Sequence, residues 1–370
     1  MTVAARVAGL RTSPIRSIAL GAPEGAVSLA LGEPGWPVPE VARTALAAWA
    51  QESTTCAYGP NEGLPELVSA VAARHGVGAP EVMVTAGSQA ALYAVFQAHV
   101  PAGSRVLVPD PGFVAYPTLA TLAGAHATAY RLGAGGALDP EAVTALLTEH
   151  DDVSLVVLNH PGNPTGGGAT AQALAAVAQA CERRGVVLVS DEVYRELHRG
   201  TPQPSLRAVT TAGLVLESVS KAWAAPGLRV GWAVGPAALL GPARLVHNAM
   251  TTAPARPSQV AAAALLRASA TVLEHSRAEV QRRWALLDGG PWPAGVAAGG
   301  FYLWAPLPGW AGEDDTAFVC RVRDEAGVVL VPGSAFGDAG RGHVRVSLGG
   351  DPEQLTEGLA RLAPWWEGPC

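Results

Sequence analysis

Short apolar runs alternate with helix-length amphipathic stretches through the middle of the chain. The amphipathic stretches predict helices at 88–99, 116–123, 139–149 and 170–184. The apolar runs predict strands at 82–85, 105–108, 127–132, 153–159, 186–190, 214–219 and 230–234. Short apolar strands that alternate with helices are typical of a mostly parallel sheet covered on both faces. The pattern therefore predicts an α/β fold.

The two ends of the chain follow different patterns. Residues 1–44 are irregular and rich in Pro and Gly, and helices are predicted near 39–51 and 65–75. After Pro236 the chain turns helical, and the amphipathic stretch 257–287 leads to a unit with the order strand, helix, strand, strand, helix at 301–306, 314–326, 328–331, 343–348 and 352–363. Such an order is typical of a smaller α+β domain. We therefore predict an N-terminal segment at 1–44 that packs on the small domain and the active-site mouth, a large domain at 45–270 and a small domain at 271–370.

Composition narrows the functional classes. Hydrophobic residues make up 49% of the chain and charged residues 15%, which is too apolar for disorder. The net charge of −6 and the lack of any basic run argue against a nucleic-acid partner. The cysteines, at 56, 181, 320 and 370, have neither metal-site nor disulfide spacing. No signal-like or membrane-spanning apolar run is found, so we expect a soluble, cytoplasmic protein with no metal and no membrane contact.

One lysine stands out among the basic residues. The chain has 25 of them, of which 24 are arginines and one is Lys221, in a serine-rich segment at the end of a predicted strand. Arginine replaces lysine in a salt bridge, but it cannot be deprotonated to attack a carbonyl. Lys221 is therefore either a surface lysine that mutational drift has not yet removed or the amine nucleophile of covalent catalysis.

Three predicted strand ends carry residues that suit a phosphorylated aromatic ligand. Gly87 and Ser88 lie between the first strand and a helix, where free N–H groups and the helix dipole suit a phosphate. An ordinary N-cap is the alternative role of Ser88. Phe113 follows the second strand, where it either stacks on a flat ring or joins the core. Asn163 lies in a turn held by two prolines and is either a plain turn residue or a fixed hydrogen-bond donor.

Two further strand ends carry charged groups. Asp191 ends the strand predicted at 186–190, and a carboxylate there is costly unless a cation pairs with it. A protonated pyridine nitrogen is one such cation, and Tyr194 is near enough in sequence to reach the neighbouring ring oxygen. Ser218 and Arg229 are placed to flank a phosphate while Lys221 reaches an aldehyde. Together the five strand ends match the needs of pyridoxal phosphate, which acts as an electron sink.

The sequence resembles a fold-type I pyridoxal-phosphate enzyme of the class I/II aminotransferase family. The resemblance covers nearly the whole chain, from Leu29 to Arg345. Its most specific motifs are Pro161-Gly-Asn-Pro-Thr-Gly166, Asp191-Glu-Val-Tyr194 and Ser218-Val-Ser-Lys221, with Arg229 eight residues on. The resemblance implies the fold of that family, which is a large domain with a mostly parallel sheet between helices and a smaller α+β C-terminal domain.

The resemblance also implies roles for individual residues. Lys221 forms the Schiff base with the cofactor and later moves the proton between Cα and C4′. Asp191 pairs with the pyridinium nitrogen. Asn163 and Tyr194 hydrogen-bond the phenolate oxygen. Phe113 takes the stacking position, where Tyr or Trp is more usual in the family. The remaining cofactor contacts are those to the phosphate, from Gly87, Ser88, Gln89, Ser218 and Arg229.

Substrate and partner contacts follow from the same resemblance. Arg345 matches the arginine that clamps the substrate α-carboxylate in bidentate geometry. Asn163 is a further substrate contact, and Gly32 and Trp36 line the substrate mouth through a backbone N–H and an apolar wall. Tyr58 matches the tyrosine that reaches the phosphate of the other subunit, which implies a homodimer.

The substrate side chain is less well indicated. Aspartate-specific members need a second cation for the distal carboxylate, which in one bacterial subgroup is a lysine at the position of Gln89. That lysine is absent here, and the apolar loop around Trp36 favours an uncharged or aromatic side chain.

Three functions are compatible with these residues or with part of them. The favoured one is an aminotransferase that moves the amino group of an L-amino acid to a 2-oxo acid. The alternative is a carbon–sulfur β-lyase acting on a cysteine-type substrate, which shares all these residues. A ligand-sensing domain of a transcription regulator is disfavoured, because only about thirty residues precede Gly32. A nicotinamide-dependent oxidoreductase is disfavoured by the spacing in 133–136, which does not open a helix after the first strand.

Overall fold

The structure is a computed structural model that describes residues 3–10, 18, 20–52, 55–292, 297–312 and 314–368. Its strands are β1 (Val27–Ser28), β2 (Val82–Thr85), β3 (Arg105–Asp110), β4 (His126–Arg131), β5 (Val153–Asn159), β6 (Val187–Asp191), β7 (Leu214–Ser218), β8 (Gly231–Val234), β9 (Tyr302–Pro306), β10 (Val328–Val329), β11 (Val331–Pro332) and β12 (His343–Ser347). Its α-helices are α1 (Ala5–Ala8), α2 (Glu40–Glu52), α3 (Pro65–His75), α4 (Ser88–His99), α5 (Ala115–Leu122), α6 (Pro140–Glu149), α7 (Ala171–Arg184), α8 (Ala237–Thr251), α9 (Arg256–Arg267), α10 (Ser269–Ala285), α11 (Asp315–Arg321) and α12 (Pro352–Glu367).

A seven-stranded sheet forms the centre of the fold, in the order β2-β8-β7-β6-β5-β3-β4. Six of its strands run in the same direction, and β8 lies antiparallel to its two neighbours, β2 and β7. The predicted α/β fold with a mostly parallel sheet is confirmed. Register brings Asn159 of β5 beside Asp191 of β6, so the two strands end together.

Alternate side chains of each central strand pack on opposite faces of the sheet. On β3, Val106 and Val108 join a core with α4, α5 and α8, whereas Leu107 joins a core with α6 and α7. The side chains of a strand alternate between the two faces, so a strand that is apolar throughout must have helices on both faces. This explains why the strands read as continuous apolar runs in the sequence.

The C-terminal part forms a three-stranded antiparallel sheet, in the order β11-β12-β9. The N-terminal segment is tied to this part by backbone hydrogen bonds. Strand β1 pairs in parallel with β10, Leu29 N–H donates to the Val329 carbonyl at 2.9 Å, and Ser347 N–H donates to the Leu29 carbonyl at 2.7 Å. Residues 27–29 therefore connect β10 to β12. The predicted boundaries of the three parts stay a prediction.

Two predicted elements differ from the structure. The stretch 257–287 is not one helix, because α9 and α10 are separated at Ala268, where the backbone leaves helical geometry (φ −95°, ψ 17°). The predicted strand 328–331 is two short strands, since Val328–Val329 pairs with β1 and Val331–Pro332 pairs with β12. The second difference arises from tertiary pairing, which the local pattern does not contain.

Three of the four cysteines, Cys56, Cys181 and Cys320, have free thiols, and Cys370 lies outside the described residues. Residues 1, 2, 11–17 and 19 of the predicted N-terminal segment also lie outside them. In the part of the chain that is described, none of the helices is both long enough and apolar enough to cross a membrane.

Candidate active site

A cavity of about 640 Å³ lies at the carboxyl ends of the central strands. In open α/β sheets this edge is the usual place for a ligand. Most of the residues predicted from sequence line this cavity: Gly32, Ser88, Gln89, Phe113, Asn163, Asp191, Tyr194, Ser218, Lys221, Arg229 and Arg345. Residues from five strand ends, the N-terminal segment and β12 thus meet at one place.

The Asp191 carboxylate is buried at the end of β6. Its Oδ2 accepts a hydrogen bond of 2.9 Å from the Tyr116 hydroxyl, and its Oδ1 accepts a longer one of 3.4 Å from Val193 N–H. Burial raises the pKa of Asp191 to about 6, against the lowering effect of these two hydrogen bonds and of the Lys221 charge. Among the described residues, no cation forms an ion pair with this carboxylate. The site therefore holds an acid that lacks a positive partner.

The turn that carries Asn163 is fixed by the last residue of β5. The Asn159 side chain accepts a hydrogen bond from Asn163 N–H and donates one to the Asp191 carbonyl, both at 2.9 Å. The Asn163 amide oxygen accepts from Arg345 Nη1 at 2.8 Å. Since arginine only donates, the Asn163 NH₂ group remains as a donor.

Arg345 is buried beside this turn, on β12. Its Nη2 donates to the Ala30 carbonyl at 2.5 Å, and its Nε has no hydrogen-bond partner in the part of the chain that the structure describes. The guanidinium carbon lies 4.5 Å from the centre of the Tyr302 ring and 4.9 Å from that of Phe336. Burial lowers the pKa of Arg345. No carboxylate of the described residues pairs with this cation, so a bound carboxylate would compensate it.

Lys221 lines the same cavity, in the loop that follows β7. Its Nζ donates to the Gly32 carbonyl and lies 5.6 Å from the centre of the Tyr194 ring. The Gly32 carbonyl also accepts a long hydrogen bond of 3.4 Å from the Tyr302 hydroxyl. The structure thus shows the Gly32 carbonyl as a site group, whereas the sequence indicated its N–H. Tyr194 and Tyr302 share a hydrogen bond of 2.7 Å between their hydroxyls.

A cradle for an anion lies where α4 begins. Gly87 has a positive φ of 89°, and a Cβ added there would lie 2.7 Å from Arg229 Nη2, so the backbone and the guanidinium approach closely only because position 87 is glycine. No side chain caps the first turn of α4. Its free N–H groups, Arg229 and the nearby Ser218 form a donor set that suits a phosphate.

Phe113 lines the cavity and is half-buried. Its ring meets the Tyr116 ring edge to face, with centroids 5.6 Å apart and planes at 84°. Tyr116, which hydrogen-bonds Asp191, therefore also supports Phe113. The structure leaves the Phe113 face available for a flat ligand ring.

Two predicted residues do not join the cavity. Trp36 is buried elsewhere, with its ring edge to face with Phe301 at 5.8 Å and beneath Arg283 at 5.1 Å. This corrects its predicted place at the substrate mouth: the loop is fixed by a hydrogen bond from Gly35 N–H to the Gly349 carbonyl, and the indole becomes part of the core. Tyr58 is 86% exposed and lies outside the cavity of its own chain.

Sequence reasoning missed two tyrosines that the structure places in the site. Tyr116 lies three residues after Phe113, and its spacing on one helical turn was an available signal. Tyr302 belongs to β9, which is far along the chain from every strand of the central sheet. No local pattern pointed to it, because it reaches the cavity only through the packing of the C-terminal sheet.

Comparison with known proteins places this geometry in a family. Residues 24–362 match the model of the family described as aminotransferase class I and II. The chain belongs to that family. It is 32% identical to the valine–pyruvate aminotransferase of Mycobacterium tuberculosis over 92% of this chain and 90% of that protein. It is 33% identical to the aspartate/prephenate aminotransferase of Thermus thermophilus, over 91% and 90%.

The fold agrees with this assignment. A double mutant of Thermus thermophilus aspartate aminotransferase superposes with a TM-score of 0.90 at 29% identity, over 98% of this chain and 99% of that one. The family depends on pyridoxal phosphate, and this member is a pyridoxal-phosphate-dependent aminotransferase. Since the relatives named above are all aminotransferases, the β-lyase alternative is not favoured.

The aminotransferase should be less stable at neutral pH because of its buried acid. A carboxyl whose pKa is raised from 3.8 to about 6 by folding lowers the free energy of unfolding as pH rises through that window. We expect Asp191→Asn to stabilise the cofactor-free protein by about 2 kcal/mol at pH 7.5 and to change little at pH 4. Urea unfolding at the two pH values measures this. The exposed Asp288→Asn is the control, and equal stability of Asp191→Asn and wild type at pH 7.5 would contradict the expectation.

Proposed function

We propose that this aminotransferase binds pyridoxal phosphate in the cavity at the strand ends and transfers amino groups from neutral L-amino acids. The observation that carries the first part is one cavity with two unpartnered charges and the only lysine of the chain. Among the described residues, Asp191 is a buried acid without a cation to pair with, and Arg345 is a buried cation without a carboxylate. A pyridinium nitrogen and a substrate α-carboxylate would complete these two groups.

The residues of the cavity fit the cofactor part by part. Asp191 would keep the ring nitrogen protonated, because an ionised carboxylate beside the nitrogen stabilises its positive charge. The Phe113 ring would cover one face of the pyridine. The free N–H groups of α4, Ser88, Ser218 and Arg229 would hold the phosphate. The exposed Gln89 lines the same part of the cavity. When bound, the cofactor supplies the electron sink that allows a proton to leave Cα of the amino acid.

Lys221 supplies two functions in this scheme. Its amine would be the nucleophile toward the cofactor aldehyde, and as a free amine it would be the base that takes up and returns the proton at Cα. Amine chemistry needs the neutral form, and the Gly32 carbonyl can accept a hydrogen bond from either form of the amine. Asn163 and Tyr194 have the donors that the ring oxygen of the cofactor would need.

Arg345 orients the substrate. Its guanidinium is held by Asn163, the Ala30 carbonyl and two aromatic rings, so a carboxylate docks on a preformed fork. Fixing the α-carboxylate in this way would limit the orientations that the Cα–H bond can take.

The binding of the cofactor is testable directly. Purified protein incubated with pyridoxal phosphate should absorb near the visible range, and borohydride reduction should leave a pyridoxyl adduct on the peptide that contains Lys221. A protein that takes up no pyridoxal phosphate would overturn the proposal. The matched control is Lys221→Ala, which should bind the cofactor without a reducible bond to the chain.

The proposal of a neutral side chain rests on the cations of the cavity. Among the described lining residues there are three, Lys221, Arg229 and Arg345, and the scheme above assigns a role to each. The groups that remain near the mouth include Leu31, Thr118 and the acidic Glu33. An anionic side chain would therefore enter without a partner and near a negative charge. The names of the relatives include both a valine and an aspartate enzyme, and the lining supports the former.

A donor panel measures this preference. With pyruvate and with 2-oxoglutarate as acceptors, we expect kcat/KM for L-valine or another neutral amino acid to exceed that for L-aspartate by about 100-fold, or about 2.7 kcal/mol. Glu33→Gln should lower the ratio of kcat/KM for valine to that for aspartate. It removes the repulsion between Glu33 and the side-chain carboxylate of aspartate and keeps the shape of the side chain at position 33. Equal kcat/KM for valine and aspartate would contradict the neutral-donor proposal without affecting that of the cofactor.

We also propose that the protein works as a homodimer. The 86% exposure of the Tyr58 side chain supports this, because a tyrosine so exposed in one copy is available to a second copy. We also propose that the chain divides into an N-terminal segment at 1–44, a large domain at 45–270 and a small domain at 271–370. Sedimentation of the purified protein at several concentrations tests the dimer, and a monomer with full activity would contradict it.

A further inference from the structure

Tyr302 is a buried residue of β9 that links three groups of the active site. Only 1% of its surface is exposed, although its side chain lines the cavity. Its hydroxyl is 2.7 Å from that of Tyr194 and 3.4 Å from the Gly32 carbonyl, and its ring covers the Arg345 guanidinium at 4.5 Å. One side chain thus contacts both Arg345 and the Gly32 carbonyl, to which Lys221 donates.

The fold reserves space for this hydroxyl. A Cβ added at Gly32 would lie 2.1 Å from the Tyr302 hydroxyl oxygen, so position 32 cannot carry a side chain while Tyr302 keeps its place. Residue 32 therefore needs to be glycine because of a neighbour from the other end of the chain, and not because of its own backbone angles.

Counting protons limits what the two tyrosines can do. Each hydroxyl has one proton to donate. If Tyr194 donates to the ring oxygen of a bound cofactor, it cannot also donate to Tyr302, and Tyr302 must then be the donor in the 2.7 Å contact. A hydroxyl that accepts a hydrogen bond becomes a stronger donor. The long 3.4 Å contact to Gly32 is the alternative use of the Tyr302 proton and the weaker one.

We propose that Tyr302 is a positioning residue of the reaction: its hydroxyl directs the Tyr194 proton into the cavity, and its ring holds the Arg345 guanidinium in place. The proposal rests on the proposed binding of pyridoxal phosphate in this cavity. The hydroxyl and the ring make separate predictions, so two substitutions can distinguish their effects.

Tyr302→Phe removes the hydroxyl and keeps the ring. In the cofactor-loaded enzyme, a weaker donation from Tyr194 disfavours the phenolate form of the ring oxygen. We therefore expect the midpoint of the pH-dependent absorbance change to rise by about 0.7 pH unit, as for the loss of one ordinary hydrogen bond. We expect kcat to fall by about 5-fold and KM for the amino acid to stay within about 2-fold, because Arg345 keeps its aromatic cover.

The matched control is Tyr130→Phe, which removes a buried tyrosine hydroxyl whose single hydrogen bond goes to the Val157 carbonyl at 2.9 Å, away from the cavity lining. We expect its absorbance midpoint and kcat to equal those of wild type. Tyr302→Leu removes the ring as well, and we expect KM to rise by about 5-fold beyond the effects of Tyr302→Phe.

A double-mutant cycle with Tyr194→Phe tests whether the hydroxyl acts through Tyr194. In the Tyr194→Phe background, Tyr302→Phe should move the absorbance midpoint no further. An additive second shift would overturn the proposal, as would an unchanged midpoint in Tyr302→Phe alone. Since every variant is measured with pyridoxal phosphate bound, failure to bind it would instead count against the proposed function.

Discussion

Replacing Lys221 with arginine is expected to lower turnover by about 10⁴-fold or more, because it removes the proposed general base and the proposed nucleophile together. Arginine keeps the positive charge and much of the length, so the electrostatics of the cavity change little. It stays protonated at every pH at which the protein is folded, and its guanidinium cannot take up the Cα proton. Single-turnover absorbance changes with excess L-valine measure the loss without interference from product release.

Two further measurements separate chemistry from folding in this variant. The affinity for pyridoxal phosphate should fall only modestly, since the phosphate cradle, Asp191 and Phe113 are intact. Thermal unfolding should resemble that of wild type. Turnover within 10-fold of wild type would show that Lys221 is neither the nucleophile nor the base.

Replacing Arg345 with leucine is expected to lower kcat/KM for amino acids by about 10³-fold. A buried arginine–carboxylate pair that loses one partner costs about 2–5 kcal/mol. The two other cations of the described lining, Lys221 and Arg229, have other proposed roles and would not replace Arg345. The substitution also removes a buried cation with no carboxylate partner among the described residues, so the cofactor-free protein should not lose stability in proportion. Steady-state kinetics with L-valine and stability measurements test the two statements.

A substrate without the carboxylate is the sharpest control for Arg345. Isobutylamine has the side chain and amine of valine and nothing for the guanidinium to bind. The slow half-reaction of the amine should change by less than about 3-fold in Arg345→Leu, whereas that of valine falls by about 10³-fold. An equal loss for both substrates would show that Arg345 supports the cavity as a whole and does not recognise the carboxylate.

Much of the fold and of the site could be predicted because local sequence patterns determine both. Strands buried on both faces are apolar throughout, and the residue after such a strand is forced to the sheet edge where ligands bind. Asp191 was predictable for this reason, as a polar residue directly after a predicted strand, and Asn163 and Lys221 follow such strands within four residues. The spacing of Ser218 and Arg229 around Lys221 added a second local constraint.

The rest depends on contacts between distant parts of the chain. Tyr302 and the Ala30 carbonyl reach the site through sheet pairing that no short window contains. Trp36 shows the converse, because an indole in a loop of prolines and glycines has the same local signature whether it faces a ligand or the core. The break at Ala268 is also invisible locally, since alanine is the best helix former.

The connection that residues 27–29 make between β10 and β12 has a consequence for the order in which the protein assembles. The hydrogen bond from Arg345 to the Ala30 carbonyl spans 315 residues, and Ser347 bonds the adjacent Leu29. A chain emerging from the ribosome can close the central sheet once β8 is made, yet Leu29 and Ala30 cannot bond Ser347 and Arg345 until β12 is made. The part of the cavity wall in which Arg345 bonds the Ala30 carbonyl, the proposed site of the substrate carboxylate, therefore cannot form before β12 is made.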